Sequence, residues 1–229
     1  MKYYDCHSHH NSTRPNHIAI RSIDLKIDGE LSTKLDSPFT IGIHPWSSES
    51  CRTEDLKKVK ELLGHSNCFG LGEIGLDKIK GAPLENQIEI MEQQLKMAWE
   101  ANISTVVLHC VRSFNEIFPL VKNHSKDFRF IFHDFQSPAP VYRQFSEFNC
   151  FFSVSPRIFR RPVKKVYQRL SAISLDQILI ETDDAKSAIE THYHDLIQVL
   201  EVPRTEFIEK IECNFLRAFP KFQPDPVNR

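Results

Sequence analysis

The 229-residue chain has almost no net charge. Its 29 basic and 30 acidic side chains leave a formal −1. That balance excludes polyanion binding through bulk charge, so any nucleic acid must be met by a local site. No stretch approaches the roughly 18 consecutive apolar residues of a membrane span. The opening MKYYDCHSHHNS lacks the apolar core of a secretory leader. The expectation is a cytoplasmic protein that does not associate with membranes. Cysteine is sparse. The six lie at 6, 51, 68, 110, 150 and 213, with no Cys-x-x-Cys pair. This argues against a disulfide framework and fits a reducing compartment. Cys6 and Cys110 adjoin candidate ligands and are read as packing residues facing the other way. There is no internal repeat, linker or low-complexity tract. One domain over 1–229 is expected, with 223–229 as a frayed tail.

What is present alternates. Short apolar runs suggest strands at Lys2–Cys6, His17–Ile23, Phe39–Ile43, Cys68–Glu73, Ile103–His109, Arg129–His133, Cys150–Val154 and Gln177–Thr182. Several are apolar at consecutive positions, as parallel strands buried on both faces are. Helical spacing falls between them, at Thr53–Leu63, Glu85–Glu100, Ser113–Val121, Pro138–Phe148, Pro162–Ala172, Ser187–Leu200 and Thr205–Phe219. Thr53 and Thr205 are expected as N-caps, and Gly64 as a helix end. Eight strands alternating with helices predict an α/β fold, a (β/α)8 TIM barrel. The first inter-strand link is too short for a good helix, so the barrel is expected to be compact and distorted.

The ionisable residues are not scattered at random over this pattern. His7 and His9 follow the first strand, two apart and so on one face. Glu73, His109, His133 and Asp183 close the fourth, fifth, sixth and eighth strands. Strand ends of a barrel converge on one surface, where active sites sit. Four imidazoles and two carboxylates can hold two divalent cations if one carboxylate bridges them. Such a pair grips a phosphoryl oxygen and activates water, without a serine or cysteine nucleophile. A carboxylate oxygen can take the proton from that water. Imidazole-rich ligation suits zinc or manganese better than magnesium, although magnesium stays open.

These motifs resemble the TatD family of metal-dependent hydrolases. The matching segments are Asp-Cys-His-Ser-His (5–9), Gly-Ile-His-Pro-Trp (42–46), Gly-Glu-Ile-Gly-Leu-Asp (72–77), Leu-His-Cys-Val-Arg (108–112), Ile-Phe-His-Asp-Phe (131–135) and Glu-Thr-Asp-Asp (181–184). Asn-Phe-Leu-Arg-Ala-Phe (214–219) is similar to the family's closing helix. Order and spacing hold from residue 4 to 219. The resemblance implies that His7, His9 and Asp183 hold one metal, that His109 and His133 hold the other, and that Glu73 bridges. It also implies that His44 sits near the substrate phosphate and that Arg112 clamps it. Glu73, Asp183 and His44 would be the catalytic residues. Family members are often DNases, some with 3′-to-5′ exonuclease activity. The chain departs from the pattern in its short length and in Ala185, where relatives carry proline. It also lacks a long Asn-Glu-Pro loop that frames the pocket in relatives.

Arg157, Arg160, Arg161, Lys164 and Lys165 cluster after the seventh strand. Arg157 and Arg161 are candidate contacts to a DNA backbone, with Phe159 and Trp46 as candidate stacking partners for bases. The substrate expected is DNA, single-stranded or with frayed ends, cut by a monomer or an oligomer of unknown size. Two other readings stay open. One is hydrolysis of a small phosphoester, lactone or amide, which a carbamylated lysine at the bridging position would signal. The other is a weakly catalytic barrel subunit of a nucleic-acid-processing or defence assembly.

Overall fold

The computed structural model describes residues 1–12, 14–26 and 35–222; the expected tail at 223–229 lies outside them. Eight strands pair in chain order, each parallel to the next. They are β1 (Tyr3–Ser8), β2 (His17–Asp24), β3 (Phe39–Gly42), β4 (Cys68–Asp77), β5 (Thr105–Val111), β6 (Arg129–Phe132), β7 (Cys150–Val154) and β8 (Ile178–Ile180). Seven helices follow the same order: α1 (Thr53–Leu63), α2 (Leu84–Glu100), α3 (Phe114–His124), α4 (Ala139–Phe145), α5 (Val163–Leu170), α6 (Ile189–Leu200) and α7 (Arg204–Ala218). The sheet curls into a nearly closed (β/α)8 barrel. Its seam lies just beyond β8. There the Asp183 amide donates to the His7 carbonyl at 3.0 Å, and the His9 amide to the Asp183 carbonyl at 3.0 Å. Among the described residues the link from β1 to β2 holds no helix, and no helix is long and apolar enough to cross a membrane. All six cysteines are free.

Strand alternation sorts the core into two layers. Val107, Ile131, Phe151 and Leu179 fill the barrel interior with Tyr4, Cys6 and Ile20, and Phe215 and Phe219 of α7 join them. Their neighbours Val106, Leu108, Phe130, Phe132, Phe152, Ile178 and Ile180 pack outward under the helices. On β5 and β6 the interior face continues upward to His109 and His133. On β8 it continues to Glu181 and Asp183.

Two strands break this alternation. Between Asp5 and Ser8, β1 carries one residue more than the β2 segment it pairs with. Between Leu71 and Ile74, β4 carries one more than β5. A bulge re-aims side chains. In β1 it lets the interior hold Cys6 and also His7, so Cys6 packs within the barrel and not on the opposite face. In β4 it sends Glu73 inward between the outward-packing Leu71 and Ile74. The strand also runs on to Asp77, four residues past the end expected from sequence. Gly75 permits this: at φ 139° a Cβ there would lie 2.0 Å from the His109 carbonyl oxygen. Only glycine allows β5 to approach so closely.

Both expected threonine caps fall inside their helices, Thr53 as the first residue of α1 and Thr205 as the second of α7. Arg52 is the N-cap of α1, and its amide donates to the Asp55 carboxylate at 2.8 Å. Pro203 is the N-cap of α7 and enters it at φ −60°. Gly64 closes α1 in right-handed geometry, its amide reaching the Glu61 carbonyl.

His192 fastens α6 to the barrel, with Nε2 bonded to the Val154 carbonyl at 2.7 Å. Burial pushes its imidazole down to about 4, and the Val154 carbonyl only partly opposes that. The unfolded chain, titrating near 6.5, therefore takes up a proton that the fold excludes. This component of stability is intact above pH 6.5 and is lost as pH falls toward 4, by up to about 3 kcal/mol. Urea denaturation of His192→Gln between pH 4 and 7 should show a shallower decline than the parent; parallel curves would rule the effect out.

Candidate metal centre

The six residues expected as ligands converge at the barrel mouth around Glu73. Its Oε1 lies 3.1 Å from His7 Nε2 and 3.2 Å from His9 Nε2. Its Oε2 lies 2.9 Å from His133 Nε2, 3.4 Å from His44 Nε2 and 3.6 Å from His109 Nδ1. Asp183 Oδ1 joins the first group, 3.3 Å from His9 Nε2 and 3.9 Å from His7 Nε2. Each oxygen of Glu73 thus faces its own cluster of imidazoles. Among the described residues the candidate ligand sets overlap: His7, His9 and Asp183 and His44, Glu73 and His109 keep to one side each, whereas His7, Glu73 and His133 and His133, Glu181 and Asp183 link the two.

These groups fit a cation better than they fit one another. His7 is almost fully buried, yet neither ring nitrogen has a hydrogen-bond partner among the described residues. Unsatisfied buried polar atoms are costly and call for an explanation. The charge balance agrees. Burial opposes ionisation of Glu73, but the His133 and His7 imidazoles outweigh it and hold the carboxyl well below its usual range. Burial likewise opposes a charge on His9, yet Asp183 and Glu73 raise that imidazole to about 10. Asp183, also opposed by burial, falls to about 2 through His9, His7, His133 and Arg157. Ionised carboxylates at this depth require positive charge. Divalent cations on the same nitrogens would provide it in place of protons.

Carboxylates behind the imidazoles set which nitrogen faces inward. Asp77 Oδ2 lies 3.1 Å from His109 Nε2, which leaves Nδ1 toward Glu73. Glu181 Oε1 lies 3.8 Å from His133 Nδ1, beyond hydrogen-bond reach, and acts on that ring through its charge, with Nε2 inward. Glu181 is itself fixed by the Asp134 amide at 2.7 Å and by the Ser153 hydroxyl. Asp5 accepts from the amide and hydroxyl of Thr182 at 3.0 and 2.6 Å, and faces His17 Nε2 at 3.0 Å. Buried partners of this kind fix ring orientation and raise ligand basicity. The sequence reading assigned no role to Asp77, Glu181 or Asp5. The available signal was spacing, since Glu181 lies two residues before Asp183 on the same face.

The other candidates divide. His44 follows β3 and stands in the centre; its Nδ1 accepts from the Trp46 amide at 3.1 Å. Trp46 walls that side. It is 46% exposed, donates to Asp77 Oδ2 at 2.5 Å and carries Lys80 Nζ 3.9 Å from its ring centroid. Arg112 sits just past β5 with left-handed backbone at φ 54°, exposed and without an ion pair among the described residues. Arg157 does not project freely as a backbone contact. It is tied to Asp134, Asp183 and Asp184. Arg161 bonds Gln136 at 3.3 Å, while Arg160, Lys164 and Lys165 face solvent. Phe159 packs edge-on against His192, half-buried and away from the centre.

A nearly closed parallel barrel with clustered imidazoles and carboxylates at its mouth defines a candidate metal centre. The family model described as "TatD related DNase" matches residues 21–220, and the chain belongs to that family. It is 29% identical over 145 residues to "Uncharacterized metal-dependent hydrolase YabD" of Bacillus subtilis, a match covering 62% of this chain and 56% of that protein. With "Uncharacterized metal-dependent hydrolase TatD" of Mycobacterium tuberculosis it shares 19% over 148 residues, 62% of this chain and 56% of the relative. The match therefore spans just over half the length of these curated relatives. Among solved structures, the YJJV TatD homologue of Escherichia coli K12 superposes with a TM-score of 0.80 at 18% identity, covering 95% and 98% of the two chains. A TatD family hydrolase of Entamoeba histolytica gives 0.80 at 14%, covering 96% and 98%.

Asp77 provides a test of the centre without substrate. Asp77→Ala should weaken metal binding about 10- to 100-fold, the usual effect of losing a partner behind a ligating histidine. Isothermal titration with Zn2+ reads this directly, and unchanged affinity in a folded variant would exclude the role.

Proposed function

We propose that this barrel holds two divalent cations (zinc, manganese or magnesium) and hydrolyses phosphodiester bonds of DNA at single-stranded or frayed ends. The observation that carries the proposal is Glu73, whose two oxygens each face a separate set of imidazoles. His7, His9 and Asp183 would hold one ion, His109 and His133 the other, with Glu73 between. Ions bound there supply Lewis acidity and make water a nucleophile near neutral pH.

The chain's own residues supply the rest. Asp183 stays ionised with Oδ1 toward the pocket, and a lone pair of that oxygen not spent on the ion could take the proton that the attacking water loses. His44 has the complementary role. Burial lowers its pKa and keeps it neutral, against the pull of Glu73. Because Nδ1 accepts the Trp46 amide, the ring proton sits on Nε2 and points into the centre, where it can donate to a phosphoryl oxygen. Arg112, exposed just past β5, suits the next phosphate. Trp46 and Lys80 offer a partly exposed ring and a cation for the adjoining nucleotide. A lactone- or amide-cleaving centre would be signalled by a modified lysine at the bridging position. Here Glu73 stands at that position, between the two sets of imidazoles.

The test is digestion of end-labelled single-stranded DNA with Mn2+, Zn2+ or Mg2+, beside Glu73→Gln and a chelator control. The variant should lose at least about a hundredfold in rate, and chelation should abolish cleavage. Equal product from both proteins would mean that another site does the cutting.

A further inference from the structure

We infer that Arg157 is a positioning residue that holds Asp183 so that only Oδ1 is presented to the metal centre. Its Nη2 lies 2.9 Å from Asp183 Oδ2 and 3.0 Å from Asp184 Oδ2, and its Nη1 lies 3.3 Å from Asp134 Oδ2. With Oδ2 paired to the guanidinium as an ion pair that lacks hydrogen-bond geometry, Oδ1 is the oxygen that faces His9 and His7.

The arrangement joins three loops at the barrel mouth. Asp134 follows β6, Arg157 follows β7, and Asp183 and Asp184 follow β8. Asp134 and Asp183 both have left-handed backbones, at φ 43° and 55°, which aspartate adopts at a cost and which the surroundings must enforce. The Arg157 backbone is pinned to the same network. Ser155 Oγ accepts the Arg157 amide at 3.1 Å and donates to Asp134 Oδ1 at 2.5 Å. Three carboxylates around one guanidinium need its planar fork; a lysine ammonium lacks that geometry. Asp184 balances the charge. Arg157 therefore adds little net repulsion toward a cation while it restrains the ligand.

This inference rests on reading the centre as metal-binding, but its test needs no DNA cleavage. Purified protein is titrated with Mn2+ by calorimetry, with near-ultraviolet circular dichroism to confirm folding. Arg157→Ala should weaken the site built on His7, His9 and Asp183 by about tenfold or more. The site built on His109 and His133 should stay within about threefold of the parent. Arg157→Lys should fall between the two. A purely electrostatic arginine gives the opposite sign, because removing a cation near the centre tightens metal binding. Tighter or unchanged binding in Arg157→Ala overturns the inference. If that variant does not fold, Arg157→Lys decides: parental affinity at both sites shows that the fork geometry is not needed and overturns it. Loss of DNA cleavage with both affinities intact would count against Arg157 as a positioning residue, and not against the proposed activity.

Discussion

Glu73 is a carboxylate held almost out of solvent at the centre of a barrel mouth, and the surrounding site exists to compensate it. Ionised at that depth it is untenable alone. Four ligand imidazoles and His44 answer it, two on one oxygen and three on the other. They in turn need ring orientations that leave the correct nitrogen inward. Asp77 and Glu181 set those orientations, and hydrogen bonds from Asp134 and Ser153 hold Glu181. One buried charge thus fixes side chains on β1, β4, β5, β6 and β8.

The barrel supplies this arrangement through local irregularity as much as through its regular repeat. Bulges in β1 and β4 fall at the residues that must turn inward, His7 and Glu73. The seam between β1 and the segment after β8 closes on two bonds made by Asp183 and the backbone of His7 and His9. Barrel closure and ligand placement are therefore one event, and damage to either should appear in both. Gly75 serves the same end, since its missing side chain lets β5 bring His109 close to β4.

Several readings from sequence carried through because they rest on local physics. The β7 and α1 boundaries coincide with those expected, and all eight strands and seven helices exist. Apolar runs of four to six residues are hard to place elsewhere in a soluble fold. Boundaries failed where pairing overrode propensity: β4 outran its expected end because Gly75 let it keep pairing with β5. Cap assignments failed at Thr53 and Thr205, because Arg52 with the Asp55 carboxylate and Pro203 begin those helices instead. Arg157 looked like a free basic residue because nothing in a linear sequence shows that three aspartates from separate loops surround it. Phe159 looked available for the same reason.

By itself, then, the sequence determined the strand–helix alternation, the barrel class and the identity of the six residues at the centre, since periodicity and strand ends depend on near neighbours alone. Only the tertiary structure decided which oxygen of Glu73 meets which imidazole, which carboxylate stands behind each ring, and that Arg157 belongs to Asp183. Those facts depend on contacts between segments far apart in the chain, as His7 is from Glu73 and Glu73 from His133. They also depend on two bulges that shift side-chain direction by one residue. Charges so distant in the chain act on one another only after folding has removed the water between them.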